Sequence, residues 1–365
     1  MNITSITLYR FSIQMEPFSI ATGTMDYAQN LLIRIYTDSG LEGFGECSAF
    51  PTIVGETQET CLVMAQAFAN IWKGKDALRI EARLAELHAY CAKNPTVKSA
   101  FDMALYDLAA KHAGVPLYQL LGGKKRTVET DITVGIGPLD TMVATASQFA
   151  KKGAKTIKIK VGSDALLDIE KVAAIRQAVG QGIAIRIDAN QGWSYEDALY
   201  ALDAMKDLDI QFCEQPMHFW YDDLLPELRG KSTIKIMADE SCYNFHDARK
   251  LIKFGACDYF NIKLAKSGGI QEALKINSLA LSSGIPCMIG GMLESRLALT
   301  ANLHFAYSAD SVRFHDLDTC LLGHLEDPVT GGAYYDGYLL QMSDAPGIGA
   351  DINEDFLKGC DRWTV

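Results

Sequence analysis

The stretch TIKIKVG, Thr156 to Gly162, sets Lys158 and Lys160 two residues apart in an otherwise apolar run. Residues two apart on a strand share a face, so a strand here crowds two cations together beside Ile157, Ile159 and Val161. Further along, Asp188, Glu214 and Asp239 end the short apolar runs IAIRID, IQFCE and IKIMAD, and Lys263 ends YFNIK. Successive members from Lys160 to Lys263 are 24 to 28 residues apart, the length of one strand plus one helix. A single acid or lysine at a strand end commonly faces solvent or caps the next helix. Three acids in register between two lysines point instead to a site.

The chemistry follows from the residue types. Oxygen-only ligation by Asp188, Glu214 and Asp239 suits a hard cation, Mg²⁺ in particular. None of the seven His lies in an HExxH or comparable cluster, which argues against zinc. A carboxylate bound to Mg²⁺ has a more acidic α-hydrogen, because the cation neutralises the enediolate that forms on deprotonation. The lysine that removes this hydrogen must first be neutral, and a second buried ammonium beside it lowers its pKa. Lys158 is therefore expected to help make Lys160 a base and to contact the substrate carboxylate. Lys263 comes four strands after Lys160, so on a closed ring the two face each other. One can remove a proton from one side of a carbon while the other returns a proton to the opposite side, which inverts a stereocentre.

Such a ring needs a parallel sheet. From about residue 126 the chain alternates strand and helix, with strands at TDITVGI, TIKIKV, IAIRIDA, IQFCE, IKIMAD, YFNIK, PCMIG and VRFHD. Eight strands in roughly 200 residues suggest a closed (β/α) barrel, whose sites form at the C-terminal strand ends. No GxGxxG follows the first strand, against a dinucleotide fold. The first third reads as antiparallel strands (ITSITLYRFSI and NLLIRIYTDSGLEGFGEC), then helices over Glu56–Lys73, Leu78–Ala92 and Val97–Ala113. The Gly- and Pro-rich HAGVPLYQLLGG marks a boundary. The expected organisation is 1–125, 126–325 and 326–365, the last segment returning against the first.

Net charge is −11 (34 Lys and Arg against 45 Asp and Glu), against general affinity for nucleic acid or an anionic membrane. Nine Cys without a CxxC argue against a disulfide framework and suit a reducing cytoplasm. The N-terminus lacks the pattern of a signal peptide, and no apolar run is long enough to span a bilayer.

Taken together, KIKVG, DANQGW, CEQP, ADES and NIKLAKSGGI, in this order and spacing, resemble the enolase superfamily over nearly the whole chain. The resemblance implies an α/β fold: a modified (β/α)7β TIM-type barrel with an N-terminal α+β capping domain completed by the C-terminal segment. Lysines on strands two and six resemble the muconate-lactonizing subgroup, since strand seven ends CMIGGMLE without a His. In RFHDLDTCLLG, Asp316 and Asp318 are similar to the motif by which dipeptide epimerases hold the substrate's terminal ammonium, and two carboxylates suit one cation. By matching motifs, Thr133, Gly291 and Leu293 would also contact the dipeptide. Glu240, Asn190 and Lys266 are expected either just behind the site residues or on the surface and are assigned no chemistry, and Cys213 and Cys242 are read as small apolar fillers.

The resemblance implies an isomerase with one Mg²⁺ and a dipeptide substrate, and association into homo-oligomers is compatible with it. Epimerases acting on L-Ala-Glu offer a basic residue from the first capping loop, whereas no Lys or Arg occurs from Phe11 through Leu32. Ile20, Phe50 and Ile53 would supply an apolar pocket instead, so a hydrophobic C-terminal residue is expected. The rivals are an N-acylamino acid racemase, an o-succinylbenzoate synthase or a muconate-type cycloisomerase, all leaving Asp316 and Asp318 without a partner, and a non-catalytic ligand-binding barrel.

Overall fold

The computed structural model describes residues 1–365. Strands β1 (Ile3–Ile20), β2 (Gly23–Thr37) and β3 (Glu42–Ala49) form an antiparallel sheet. Helices α1 (Gln58–Trp72), α2 (Ile80–Tyr90) and α3 (Pro95–Ala113) follow. Alternation sorts the strand residues. Ile6, Leu8, Leu31, Ile33 and Ile35 pack with Phe68, Trp72 and Phe101 of the helices. Tyr9, Phe11, Ile13, Ala28 and Leu32, of mostly opposite parity, belong to the larger core shared with the barrel. Both faces of this cap sheet are therefore buried, and it reads as near-continuous hydrophobic strand.

Eight parallel strands make the second sheet, in chain order. They are β4 (Ile132–Val134), β5 (Thr156–Lys160), β6 (Ala184–Asp188), β7 (Ile210–Glu214), β8 (Ile236–Ala238), β9 (Tyr259–Ile262), β10 (Cys287–Gly290) and β11 (Val312–Asp316). Each falls within a strand expected from the sequence. Helix α4 (Ile270–Ser282) comes after β9, and α5 (Arg296–Ser308) after β10. Between β4 and β11 the seam is bridged by the Asp131 N–H, which donates to the His315 carbonyl at 3.2 Å. The last strand, β12 (Asp361–Thr364), pairs with β1. No helix is long and apolar enough to cross a membrane.

Buried carboxylates fasten cap to barrel. Glu46 of β3 accepts the Ser295 N–H at 2.7 Å and the Ala298 N–H at 3.1 Å, at the start of α5. Asp102 of α3 accepts the Ile270 and Gln271 N–H groups of α4 at 2.6 and 3.2 Å. Helix N-termini expose unpaired N–H groups and positive dipole ends, so cap acids satisfy barrel helices from outside their own segment. The cap loops are held as well: Ile136 N–H donates to the Ser19 carbonyl at 2.8 Å, and the Tyr243 hydroxyl donates to the Ile53 carbonyl.

Within the cap, a Cβ on Gly45 would sit 1.9 Å from the Ala100 carbonyl oxygen of α3. Strand and helix backbones touch there, so Gly45→Ala must push them apart. We expect a loss of about 1–3 kcal/mol, read as a lower urea midpoint. An unchanged midpoint would mean that this contact is not tight.

Candidate active site

Lys158 and Lys160 are both buried on the inner face of β5, while Ile157 and Ile159 join the apolar core. The ladder sets Lys160 beside Asp188 and Asp188 beside Glu214. Lys160 Nζ lies 2.6 Å from Asp188 Oδ2 and 2.9 Å from Asn190 Oδ1. Lys158 Nζ lies among three carboxylates, 2.9 Å from Asp188, 2.7 Å from Glu214 and 2.9 Å from Asp316. Lys263 Nζ is 3.0 Å from Asp239 Oδ2. All six of the strand-end lysines and acids from Lys158 to Lys263 thus meet at one end of the barrel.

Short motifs hold these ends. A Cβ on Gly162 would lie 2.2 Å from the Ala189 carbonyl oxygen, and one on Gly192 would lie 2.1 Å from the Gly162 carbonyl oxygen. The KVG and QGW turns press together, and Asp168 ties them by accepting from the Gly162 N–H and the Trp193 Nε1–H at 2.8 and 3.1 Å. Asn190 and Gln215 take positive φ angles of 40° and 37°, which non-glycine residues rarely adopt. Asn190 can then donate its N–H to Asp188 at 2.9 Å while its side chain meets Lys160. Gln215 Oε1 accepts the Asp239 N–H at 2.9 Å, joining two strand ends.

The electrostatics differ from a simple lysine pair. Burial alone would depress Lys158, but Asp188, Asp316 and Glu214 outweigh it and hold the ammonium well above the usual lysine range. Lys263 is likewise opposed by burial yet raised by Asp239 and Glu214. Burial would raise Asp188, but Lys158 and Lys160 bring it down to about 2. In Glu214, burial and the Asp188 charge win, and the carboxyl is pushed up to about 7. The sequence pattern suggests burial and repulsion between neighbouring ammonium groups. Folding instead gives each lysine at least one carboxylate.

Two further residues, one set aside by sequence and one overlooked, belong here. Lys266 is fully buried, with Nζ 2.6 Å from Asp239 Oδ1, so of its two expected places it stands behind the acids and not on the surface. Asn261, not singled out at all, donates to Glu214 Oε1 at 2.6 Å. Its position two residues before Lys263, on the same face of β9, was the available signal.

The acids fit a hard cation. Glu214 Oε2 and Asp239 Oδ2 are buried and accept no hydrogen bond; their lysine neighbours are close enough for ion pairs but not aligned to donate. Buried carboxylate oxygens without donors, on neighbouring strands and free of nitrogen or sulfur ligands, are a donor set for Mg²⁺. They do not form the tightest acidic group, which is Asp131, Asp316 and Asp318 at the seam.

One cavity gathers the remaining residues. It is lined by Lys158, Lys160 and Lys263, by Asp316 and Asp318, and by Thr133, Gly291 and Leu293. Asp318 accepts the Thr133 N–H at 2.7 Å, and burial with the Asp316 charge pushes its carboxyl up to about 7. Phe18, Ile20, Met25, Phe50 and Ile53 from the cap complete the lining, with no cation among them.

Residues 3–122 match the mandelate racemase / muconate lactonizing enzyme N-terminal domain, and residues 141–356 match the enolase C-terminal domain-like family. The chain is 43% identical to the D-Ala-D/L-Ala epimerase of Cytophaga hutchinsonii, covering 100% of both chains. It is 41% identical to the hydrophobic dipeptide epimerase of Enterococcus faecalis, over 92% of this chain and 95% of that one. A crystal structure of the dipeptide epimerase from Cytophaga hutchinsonii, complexed with Mg and D-Ala-L-Val, superposes with a TM-score of 0.98 over the whole of both chains at 43% identity. With both domain families matched in order and such relatives along its full length, the chain belongs to the mandelate racemase / muconate lactonizing enzyme group of the enolase superfamily.

Proposed function

We propose that this isomerase is a Mg²⁺-dependent dipeptide epimerase that inverts the α-carbon of the C-terminal residue and favours a hydrophobic side chain there. The observation that carries the reading is one cavity joining Lys160, Lys263, the Asp316–Asp318 pair and an apolar, cation-free cap. The relatives support it: one is named for D-Ala-D/L-Ala, the other for hydrophobic dipeptides. The division at residues 125 and 325 and a cytoplasmic location are part of the proposal, the latter supported by nine free cysteines.

In the mechanism, Asp188, Glu214 and Asp239 would hold the cation. Mg²⁺ there would supply positive charge beside the substrate carboxylate, acidifying the α-hydrogen and offsetting the acids that favour the charged forms of Lys158 and Lys263. Lys158 pairs with the same substrate carboxylate. Neutral Lys160 takes the α-proton from one face, and the ammonium of Lys263 delivers its proton to the other; the reverse reaction exchanges their roles. The net proton count is unchanged. Asp316 and Asp318 hold the terminal ammonium, with Thr133, Gly291 and Leu293 lining that end, and the cap keeps water out.

The deciding measurement is proton NMR in D₂O with Mg²⁺ and L-Ala-L-Xaa dipeptides, beside an N-acylamino acid control. We expect the C-terminal α-proton signal to fade and a diastereomer to appear, fastest with Val or Leu. Faster turnover of L-Ala-L-Glu would contradict the apolar pocket, and exchange of the N-acyl compound alone would contradict the dipeptide reading. In the same assay Lys160→Ala or Lys263→Ala should abolish epimerisation, leaving at most solvent exchange from one enantiomer. Full epimerisation by either variant would exclude the two-base scheme.

Asp318 gives a pH dependence. Its carboxyl is raised to about 7, so it is neutral below that pH and loses its attraction for an ammonium. KM for the dipeptide should rise as pH falls below 7, by roughly tenfold per unit, with the rise blunted in Asp318→Asn. A KM constant between pH 8 and 5.5 would speak against this role.

A further inference from the structure

Three carboxylates meet across the barrel seam: Asp131 just before β4, Asp316 ending β11, and Asp318 beyond it. One oxygen from each lies within 4.8 Å of the others. Each is fixed by one protein donor at Oδ2: Asp131 by Arg186 Nη1 at 2.7 Å, Asp316 by Lys158 at 2.9 Å and Asp318 by the Thr133 N–H at 2.7 Å. Asp131 is 1% exposed, and its Oδ1 accepts no hydrogen bond. A buried acceptor left unpaired is costly, and such atoms are uncommon in folded proteins.

Arg186 is not free to move with its partner. Its guanidinium packs against both the Phe212 and Phe314 rings, 5.2 and 5.1 Å from their centroids, and it also donates to Gln211 Oε1 at 2.8 Å and to the His315 carbonyl at 3.2 Å. Asp131 is thus anchored at one oxygen with the other unbonded, next to the two acids that line the cavity. Three acceptors no more than 4.8 Å apart can all lie about 2.8 Å from one nitrogen, which is N–H···O hydrogen-bond distance. A primary ammonium carries three such donors.

We infer that Asp131, anchored by Arg186, supplies the third acceptor for the substrate's terminal ammonium, so that the subsite selects a primary amine bearing all three hydrogens. The inference rests on the dipeptide reading above and narrows it. Dipeptides whose first residue is N-methylated, or is proline, offer fewer donors and leave one carboxylate buried without a partner.

The test is steady-state kinetics of the Mg²⁺-loaded enzyme on L-Ala-L-Val and on its N-methyl and N,N-dimethyl forms, in wild type and Asp131→Asn. In wild type the first methyl should already raise KM about tenfold or more, the loss expected for one hydrogen bond to a charged group, with kcat changed far less. Asp131→Asn should raise KM for the parent by a similar factor and remove the preference for parent over N-methyl. Because Asn is nearly isosteric with Asp, a preference caused by methyl bulk would persist in the variant, and that result would overturn the proposal. So would an N-methyl dipeptide with KM within about twofold of the parent in wild type, since two acceptors need only two donors. If Asp131→Asn does not fold, the same comparison is made with Asp131→Ser, and the wild-type methyl series can still overturn the proposal by itself. Failure of the wild type to exchange the α-proton of L-Ala-L-Val or any other free dipeptide overturns the dipeptide reading and this inference together, whereas normal turnover without amine selectivity overturns only the inference.

Discussion

The structure depends on concentrating charge where water is excluded. Lys158, Lys160, Lys263, Lys266, Asp188, Glu214, Asp239 and Asp316 are all buried, none more than 8% exposed. Removing one ion from water costs several kcal/mol unless an opposite charge replaces the lost hydration. The set is tolerable only because each lysine meets a carboxylate within about 3 Å, in keeping with charge-assisted bonding. Those distances require strand register accurate to one residue: a slip on β5 would turn Lys158 and Lys160 outward and leave the acids unpaired. Fold and site therefore constrain each other.

The cap answers the same constraint from above. Its sheet buries both faces, one against its own helices and one against the barrel core. Glu46 and Asp102 fasten it to the starts of two barrel helices. A lid docked in this way positions Phe18, Ile20, Phe50 and Ile53 over the charged floor and lowers the local dielectric around it, strengthening every ionic contact below. The apolar cap lining and the strength of the polar floor thus arise from one packing arrangement.

What was legible in the sequence was whatever period and spacing determine. Lys158 and Lys160 on one face, and Asp188, Glu214 and Asp239 at successive strand ends, follow from a two-residue alternation repeated every 24 to 28 residues. The eight barrel strands follow for the same reason. Lys266 did not, because a lysine in a short helix after β9 gives no sign that it folds back onto Asp239. Nor did the Asp131–Arg186 pair, which joins residues two strands apart across the barrel interior. The state of the lysines was also hidden: their proximity to each other is local in sequence, whereas the acids that dominate them come from four other strands.

Counting those acids separates the lysines by role. Lys158 has three carboxylate neighbours and is 1% exposed. Deprotonating it would leave three buried anions without their common cation, so it acts as a fixed charge in the proposed mechanism. Lys160 and Lys263 each have one carboxylate neighbour and line the cavity. Each can lose its proton while its acid keeps a second ammonium, Asp188 that of Lys158 and Asp239 that of Lys266, and each turnover leaves one lysine with one proton more and the other with one fewer. A reversible epimerisation needs both proton arrangements to be of similar energy, and one carboxylate per reacting lysine, on opposite sides of the mouth, is the simplest way for the barrel to provide that balance.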